Sequence, residues 1–253
     1  MINIGISGIN GSMGQILYKK ISEDDMFNLV MGIDSRPELY ENKCRVFEKP
    51  ADSDIYPDLI IDFSHHSCLD ELLLFAKEHG ISLVLATTGY DAAQIEKIHS
   101  YSSDIAILYS ANMSFGINLL KTILEKYSRL LDERSYDIEI IEKHHNKKVD
   151  APSGTAYILA DAVNSSISTP KNFVNGRQGR TNPRTTNEIG IHAVRGGNIF
   201  GEHEVIFAGS SDIIEIKHTA LSKDLFADGA IDAAKWLYMK EKGMYCMQDM
   251  FEI

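Results

Sequence analysis

Short apolar runs alternate with amphipathic segments from the start of the chain to about residue 110. Gly80 follows one of the amphipathic segments at the place where a helix is expected to end. The runs predict strands over 2–6, 28–33, 58–63, 81–86 and 105–109, and the amphipathic segments predict helices over 13–21, 69–78 and 92–100. Because strands and helices alternate, we expect βαβ units and a parallel sheet.

The pattern changes after Ser110, where a long helix is predicted over 115–131. A strand over 136–142 follows, and its partial alternation of apolar and polar residues fits a sheet with one covered face. The remaining pattern predicts a helix over 153–163, a Gly/Arg/Asn-rich loop near 175–187 and strands over 189–194, 203–208 and 213–218. The tetrapeptide Gly209–Asp212 is typical of a hairpin turn between the last two strands.

The last predicted helix covers residues 225–242. Its apolar positions recur at helical spacing and are Phe226, Ala230, Ile231, Ala234, Leu237 and Tyr238. A helix with one apolar face of this kind can pack back on the first sheet. The chain is therefore expected to be α/β, with a second unit that begins after Ser110.

Composition and charge narrow the classes of partner. The formal net charge of −11 repels nucleic acid, and no run of Lys and Arg offsets it. No stretch of about 18 apolar residues and no leader-like segment are present, so no membrane partner and a cytoplasmic location are expected. The three cysteines lie far apart without metal-ligand spacing, which indicates reduced thiols and no metal site.

A glycine-rich turn follows the first predicted strand. Three of its glycines, at a spacing of three residues, let the backbone approach a pyrophosphate at a helix N-terminus. Asp34 follows 20 residues after Gly14, at the end of the second strand, where a carboxylate can bind an adenosine ribose. The spacing differs from the commoner GxGxxG, and a tight turn without a ligand is the alternative. The residues predicted to bind the cofactor here are Gly8, Ile9, Asn10, Gly11, Ser12, Met13 and Asp34.

Two further segments stand at the carboxyl ends of predicted strands, where open parallel sheets bind their ligands. Each segment, taken by itself, is also compatible with an ordinary turn. We predict that they contact the nicotinamide half of the cofactor through Ala86, Thr87, Thr88, Ser110, Ala111, Asn112 and Met113.

Two histidines and two lysines fall within residues 144–148, just before the helix predicted to start near Ser153. Cationic side chains attract a carboxylate, helix-end amides hold one, and a histidine or lysine can supply a proton. This combination therefore suits a small carboxylate substrate. A zinc site is an alternative, but adjacent histidines in an extended strand point to opposite faces and no third ligand accompanies them. A solvated basic loop is the other alternative.

The segment from Glu142 to Ala156 resembles the signature of dihydrodipicolinate reductases, E-x-H-H-x-x-K-x-D-A-P-S-G-T-A, and matches it at every fixed position. The resemblance extends to other parts of the chain, namely Gly8–Gly14, Thr87–Gly89, Ala111–Ser114, Arg195–Gly197, Gly201–His203 and Gly243–Asp249. It implies an N-terminal Rossmann-type dinucleotide-binding domain, over 1–111 and 221–253. It also implies a C-terminal α+β mixed-sheet domain, over 112–220, for substrate binding and assembly into a homotetramer.

The same resemblance implies the activity and the roles of single residues. NADH or NADPH would reduce 4-hydroxy-tetrahydrodipicolinate, a cyclic dicarboxylate, to tetrahydrodipicolinate on the route to diaminopimelate and lysine. His144 and Lys148 are implied as the catalytic residues that handle the proton. The residues implied to bind the substrate carboxylates are His145, Lys148, Gly154 and Thr155.

Several alternatives stay open. The chain could be another Rossmann oxidoreductase, such as an aspartate or homoserine dehydrogenase, or a nucleotide sensor without activity. Which of His144 and Lys148 delivers the decisive proton does not follow from the residues. Asp34 favours NADH, whereas Arg36 can favour NADPH, so we expect both cofactors to be used, with NADH at least as good.

Overall fold

A computed structural model describes residues 1–180 and 183–251. The helices are α1 (Ser12–Ser22), α2 (Leu69–His79), α3 (Ala92–Tyr101), α4 (Phe115–Asp132), α5 (Gly154–Ser166) and α6 (Asp224–Leu237). The strands are β1 (Ile2–Ser7), β2 (Phe27–Ile33), β3 (Arg45–Phe47), β4 (Leu59–Asp62), β5 (Ser82–Leu85), β6 (Ala106–Tyr109), β7 (Asp137–His144), β8 (Asn172–Asn175), β9 (Glu188–Arg195), β10 (Gly201–Ala208), β11 (Ile213–Ala220) and β12 (Gly243–Tyr245).

The chain divides into two compact units. One unit consists of Met1–Phe115 with Asp224–Ile253, and the other is Gly116–Lys223. These limits lie within four residues of the predicted domain boundaries, and the functions that the sequence predicts for the two domains remain predictions. The described residues include no helix that combines the length and the apolar character needed to cross a bilayer.

The first unit is built on a parallel sheet of seven strands in the order β12-β6-β5-β4-β1-β2-β3. Alternate residues of the central strands point to opposite faces, and both faces are buried. On β4, for example, Leu59 and Ile61 pack with α1 and α6, whereas Ile60 packs with α2 and α3. The sheet therefore has helices on both faces, which confirms the predicted Rossmann-type architecture.

The second unit is built on a mixed sheet of five strands in the order β11-β10-β7-β9-β8. β10 is antiparallel to both β7 and β11, while β7, β9 and β8 run parallel. Apolar residues of α4 and α5, among them Leu124 and Leu159, pack against alternate residues of β7 such as Ile138 and Ile140. The buried face of the sheet is thus the face that these helices cover, as the alternation along β7 predicts.

The structure corrects the sequence prediction in a few elements. The last helix ends at Leu237 and does not continue to residue 242, because Gly243–Tyr245 pairs as a parallel strand with β6. The short strands β3, β8 and β12 were not predicted, since three or four residues carry too little periodicity to be recognised. Of the predicted loop near 175–187, residues 181 and 182 lie outside the described residues.

Candidate active site

The glycine-rich turn connects β1 to α1. Gly8 has a φ of +77°, and its backbone N–H donates to the carbonyl of Ile33 at the end of β2. A Cβ on Gly14 would lie 2.1 Å from the carbonyl oxygen of Gly8, so this position needs glycine for packing alone. Gly11 differs, because its added Cβ would meet only the Gly8 oxygen, at 3.2 Å. Gly11 is therefore the glycine whose open side a ligand can approach.

The start of α1 is suited to an anion. Gly11 is the N-cap residue, no side chain caps the first turn, and that turn contains no acidic residue. Unsatisfied backbone N–H groups and the helix dipole both favour a negative group at such an end. The other predicted residues of the turn are split between surface and interior: Ser12 is exposed and Met13 half-buried, whereas the side chains of Ile9 and Asn10 are buried.

Asp34 follows β2 beside the same turn. One carboxylate oxygen accepts a hydrogen bond from the backbone N–H of Asn10 at 3.0 Å, and the other accepts from the N–H of Arg36 at 2.9 Å. The Asn10 side chain donates in turn to the carbonyl of Arg36 at 2.7 Å. These bonds hold Asp34 at the edge of a cavity of about 270 Å³ that is also lined by Gly8, Gly11 and Arg36.

This cavity fits the adenosine half of a dinucleotide. A glycine turn on a helix end can hold the pyrophosphate, and a fixed carboxylate about 20 residues further on can hold the ribose. Among the other residues that line the cavity are Ile33, Phe63 and Leu72, which give it an apolar wall. Apolar surface of this kind suits the adenine ring.

The remaining predicted cofactor residues follow β5 and β6. Thr87 is buried, and its hydroxyl donates to the Asp62 carboxylate at 2.7 Å, so its side chain stabilises the loop. Ser110 likewise binds the backbone of Asn112 through its hydroxyl. Ala86 and Met113 are buried, whereas Thr88 and Ala111 are exposed. While these side-chain hydrogen bonds are kept, a ligand could bind Thr87 and Ser110 only through their backbone groups.

The segment with the two histidines lies at the end of β7 in the second unit. Strand alternation puts Glu142 and His144 on the helix-covered face, where Glu142 is 0% and His144 9% exposed. His144 pairs in register with Arg195 of β9, and Glu142 pairs with His203 of β10. Three strands therefore bring two histidines, a carboxylate and a guanidinium together.

Glu142 is the centre of this cluster. Its carboxylate accepts two hydrogen bonds from the Arg195 guanidinium, at 2.6 and 2.7 Å, and one from the Ser153 backbone N–H at 3.0 Å. Nδ1 of His144 lies 2.6 Å from Glu142 Oε2, so this nitrogen carries the proton that the carboxylate accepts. The bond leaves Nε2 of His144 as the nitrogen available to a ligand.

Lys148 and His145 lie in the loop after β7. The Lys148 ammonium forms an ion pair with Asp150 at 2.9 Å, and the backbone N–H of Gly154 also binds the Asp150 carboxylate. His145 is half-buried, and its Nδ1 has no hydrogen-bond partner among the described residues. In this structure the carboxylate of Asp150 thus contacts two of the groups predicted to bind a substrate carboxylate.

Helix α5 begins beside the cluster. Ser153 is its N-cap residue, and the hydroxyl accepts from the Ala156 N–H at 3.2 Å. The same hydroxyl lies 3.0 Å from Nε2 of His203. Gly154 is exposed, with no heavy atom within 4 Å of an added Cβ. The start of α5 is therefore held on its buried side by the hydrogen bonds of Ser153, and on its exposed side it is open at Gly154.

Burial and charge set the protonation of the histidines. The pKa of His144 lies below its ordinary value, and burial is the largest single cause. The Glu142 carboxylate acts in the opposite direction, whereas the charges of Lys148 and Arg195 lower the pKa further. Burial lowers the pKa of His203 to about 4. Burial would raise the pKa of Glu142, but hydrogen bonds from Arg195, His144 and the Ser153 amide lower it overall. At neutral pH both imidazoles are neutral and Glu142 is ionised.

The structure therefore adds residues that the sequence prediction did not assign to the site. Glu142 belongs to the matched signature and stands two residues before His144, a spacing that places both on one face of a strand. The two-residue spacing between Glu142 and His144 was therefore the signal in the sequence that could have assigned Glu142 to the site. Arg195 and His203 come from strands more than 50 positions further along, and only the sheet register brings them to β7.

The described residues include no group of three His, Cys, Asp or Glu side chains suited to holding a metal ion. The two adjacent histidines differ in their surroundings, since the His144 ring is bound to Glu142 in the buried cluster whereas His145 follows the end of the strand. The cluster at the end of β7 instead consists of two imidazoles and a guanidinium around the Glu142 carboxylate.

Comparison with known proteins identifies the family. Residues 2–113 match the family profile described as "Dihydrodipicolinate reductase, N-terminus", and residues 116–251 match "Dihydrodipicolinate reductase, C-terminus". The 4-hydroxy-tetrahydrodipicolinate reductase of Clostridium novyi (strain NT) is 46% identical over 252 residues, covering 100% of this chain and 99% of the relative. The enzyme of that name from Caldanaerobacter subterraneus subsp. tengcongensis is 41% identical, with 99% of this chain and 98% of the relative covered.

Solved structures share the fold. The dipicolinate-bound dihydrodipicolinate reductase from Paenisporosarcina sp. TG-14 superposes with a TM-score of 0.84 at 22% identity, covering 99% of both chains. Aspartate dehydrogenase from Thermotoga maritima gives a TM-score of only 0.53 at 12% identity, over 95% of this chain and 98% of the other. Fold likeness alone extends to several dehydrogenases, whereas the two profiles and the identity over the full chain are specific: the chain belongs to the dihydrodipicolinate reductase family.

Proposed function

We propose that this chain catalyses the reduction of 4-hydroxy-tetrahydrodipicolinate to tetrahydrodipicolinate, with His144 and Lys148 as its catalytic residues. The observation that carries the proposal is the cluster at the end of β7, where a neutral imidazole held by Glu142 and a lysine ammonium lie beside the start of α5. Curated relatives with 40–46% identity over nearly the full chain have this activity in their names.

The charges of the site suit a dicarboxylate. A cyclic substrate with two carboxylates needs cationic groups and backbone N–H groups close together. Lys148, His145 and the first turn of α5 offer both, and Asp150 already occupies part of that set as an internal carboxylate. Substrate binding would displace Asp150 from Lys148 and Gly154. A related solved structure is described as dipicolinate-bound, and dipicolinate is a planar ring dicarboxylate.

The reaction needs proton movements as well as a reductant. Water leaves from C4 of the ring, hydride adds at that carbon, and a proton is delivered to the neighbouring carbon. NADH or NADPH supplies the hydride when it is bound. Gly8–Met13 and Asp34 would hold the cofactor in the cavity of the first unit, with Ala86–Thr88 and Ser110–Met113 toward its nicotinamide half.

The protonation states suggest how the two catalytic residues divide the work. Because Nδ1 of His144 donates to Glu142 and the ring is neutral, Nε2 is an acceptor in the resting protein. We infer that His144 takes a proton from the ring carbon next to C4 and returns it to the departing hydroxyl, which leaves as water. Lys148 carries donors only and is placed to give the proton that completes the reduction.

We also infer that the chain acts in the cytoplasm as a homotetramer that assembles through the second unit. Support for assembly comes from β11, an edge strand on which Ile213 is 61% and Ile214 39% exposed. Exposed apolar residues on a sheet edge favour pairing with another chain. Sedimentation at micromolar concentration should give a mass near four chains of 28.3 kDa, and a monomer would contradict the inference.

The activity can be tested with freshly prepared 4-hydroxy-tetrahydrodipicolinate and purified protein. We expect absorbance at 340 nm to fall with either NADH or NADPH, and tetrahydrodipicolinate to appear in equal amount. A matched reaction offers oxaloacetate and ammonia in place of the substrate, because an aspartate dehydrogenase would reduce that mixture. Oxidation of cofactor with oxaloacetate and ammonia alone would contradict the proposal.

A further inference from the structure

Glu142 connects three segments around the His144 ring. It lies on β7, its carboxylate binds Arg195 of β9, and it also accepts from the backbone of Ser153 at the start of α5. Arg195 donates a further bond, at 2.6 Å, to the carbonyl of Asp150. The loop that carries Lys148 is thereby hydrogen-bonded to the pair formed by the Glu142 and Arg195 side chains. Family resemblance and the proposed function assign no role to either member of this pair.

We propose that Glu142 and Arg195 are positioning residues for the reaction: together they hold the His144 imidazole in the Nδ1–H tautomer, with Nε2 left for the substrate. This inference rests on the proposed function for its effect on turnover. Its structural content, the tautomer and the charge balance at His144, is independent of which substrate the chain reduces.

The Glu142 carboxylate fixes the orientation of the ring. A neutral imidazole has one N–H, and the 2.6 Å contact with a fully buried carboxylate places that hydrogen on Nδ1. The opposite nitrogen faces Gly201, where an added Cβ would come within 3.1 Å of Nε2. Glycine at this position therefore leaves space at the nitrogen that the substrate would use.

Arg195 prevents the carboxylate from making His144 strongly basic. An unpaired carboxylate next to an imidazole stabilises the imidazolium and raises its pKa. Here two parallel hydrogen bonds from Arg195 neutralise Glu142, so the ring is oriented by a pair without net charge. The pKa of His144 lies below its ordinary value, mainly through burial, which agrees with this balance.

The other charged and titratable groups that face His144 are Lys148 of the following loop and His203 of β10. The His203 ring is 5.1 Å from the His144 ring, measured between centroids, and it is neutral near pH 7 because its pKa is about 4. Lys148 lowers the pKa of His144 through its charge. Neither group can supply the hydrogen bond at Nδ1, which Glu142 already occupies.

Two substitutions should move the His144 titration in opposite directions. Glu142→Gln leaves the Arg195 charge unbalanced beside the ring, so the pKa of His144 should fall by about one unit or more. Arg195→Met leaves the Glu142 charge unbalanced, so the pKa should rise by about 1–3 units. Residues that served only to stabilise the fold would not give shifts of opposite sign. Arg195→Lys keeps the charge and should stay nearer to wild type.

The titrations would use apo protein labelled with ¹³C and ¹⁵N in histidine, and the His144→Gln spectrum identifies the signal. Glu202→Gln is a matched control, because this β10 carboxylate pairs with Lys143 and Lys217 and does not contact His144. We expect it to leave the His144 titration unchanged. In wild type, the ¹⁵N shifts should show Nδ1 protonated and Nε2 unprotonated at pH 7.5.

Turnover gives the second readout. Loss of orientation should lower kcat of Glu142→Gln by about 10–100-fold, with less change in the KM for the substrate, since a misplaced group affects the transition state more than binding. If single variants fail to fold, the double variant Glu142→Gln/Arg195→Met removes both charges and should fold while losing activity.

Two results would overturn the inference. One is an Nε2–H tautomer in wild type, and the other is a shift of His144 in the same direction, or no shift, in both single variants. Absence of wild-type turnover with 4-hydroxy-tetrahydrodipicolinate would instead count against the proposed function and leave the tautomer result standing.

Discussion

His203 shows how one buried side chain makes stability depend on pH. The residue is 5% exposed, its Nε2 shares a hydrogen bond with Ser153, and burial lowers its pKa to about 4 in the folded protein. In the unfolded chain its pKa is about 6.5. Between these values the unfolded chain binds a proton that the folded protein does not, so the free energy of unfolding decreases as pH falls from 6.5 to 4.

The expected contribution of His203 to this loss is at most about 3 kcal/mol. Urea titrations at several pH values should show a steeper decline in wild type than in His203→Gln. His99→Gln, at an exposed position on α3, is the control and should follow wild type. Parallel curves for wild type and His203→Gln would mean that folding does not lower the pKa of His203.

We expect single residues to decide the cofactor choice as well. Asp34 is fixed by the N–H groups of Asn10 and Arg36, whereas the Arg36 side chain is exposed. The Asp34 carboxylate should bind the ribose of NADH and repel the 2′-phosphate of NADPH, and the Arg36 guanidinium should attract that phosphate. At an exposed site each effect is about 1 kcal/mol, so both cofactors should be used, with NADH at least as good.

The ratio of kcat/KM for the two cofactors, at fixed ionic strength, measures this balance. Asp34→Ala should improve NADPH relative to NADH, and Arg36→Ala should do the reverse. A change of less than about twofold in both variants would show that discrimination occurs elsewhere.

At the residue scale the sequence identified groups that stand close together in the chain. His144, Lys148 and Gly154 were predicted from one contiguous segment. The partners Arg195 and His203 were not assigned, because a register of three strands, and not spacing, brings them to Glu142.

At the scale of elements, the β1–α1 turn separates two kinds of glycine. Gly14 has no space for a Cβ because the Gly8 oxygen would be 2.1 Å away, whereas Gly11 is open apart from one contact at 3.2 Å. Gly11→Val should therefore fold with a small local shift but obstruct the approach of the pyrophosphate. We expect loss of NADH and NADPH binding, measured by fluorescence titration, with thermal unfolding changed little.

Gly14→Ala is the matched comparison and should destabilise the first unit, because the clash involves backbone atoms. Unchanged cofactor affinity in Gly11→Val would place the cofactor away from this turn. Loss of folding in Gly11→Val, with a well-folded Gly14→Ala, would contradict the distinction between the two glycines.

Most long elements were predictable because burial on one or both faces leaves a clear period in the sequence. The end of α6 was not predictable in this way. Residues after Leu237 include Lys240, Glu241 and Lys242, which are good helix formers, so the helical pattern continues in the sequence. Pairing of β12 with β6 ends the helix, and a tertiary contact of this kind has no local signal.

On the scale of the whole molecule, alternation of strands and helices predicts the parallel sheet, and the later change of pattern predicts a separate unit. The order of strands was not predictable from periodicity, since β12 comes from the far end of the chain and joins the sheet next to β6. The candidate cofactor turn and the candidate catalytic cluster belong to different units. A division of labour between the units follows from the proposal and can be tested directly.

The most direct test compares wild type with the double variant His144→Ala/Lys148→Ala. Steady-state turnover of 4-hydroxy-tetrahydrodipicolinate and cofactor dissociation constants would be measured on the same preparations. Both substituted residues lie in the second unit, so cofactor binding and folding should be retained. Each group alone contributes about 10²–10⁴-fold, so kcat of the double variant should fall by at least about 10²-fold. Turnover near wild type in a folded, cofactor-binding double variant would contradict the account.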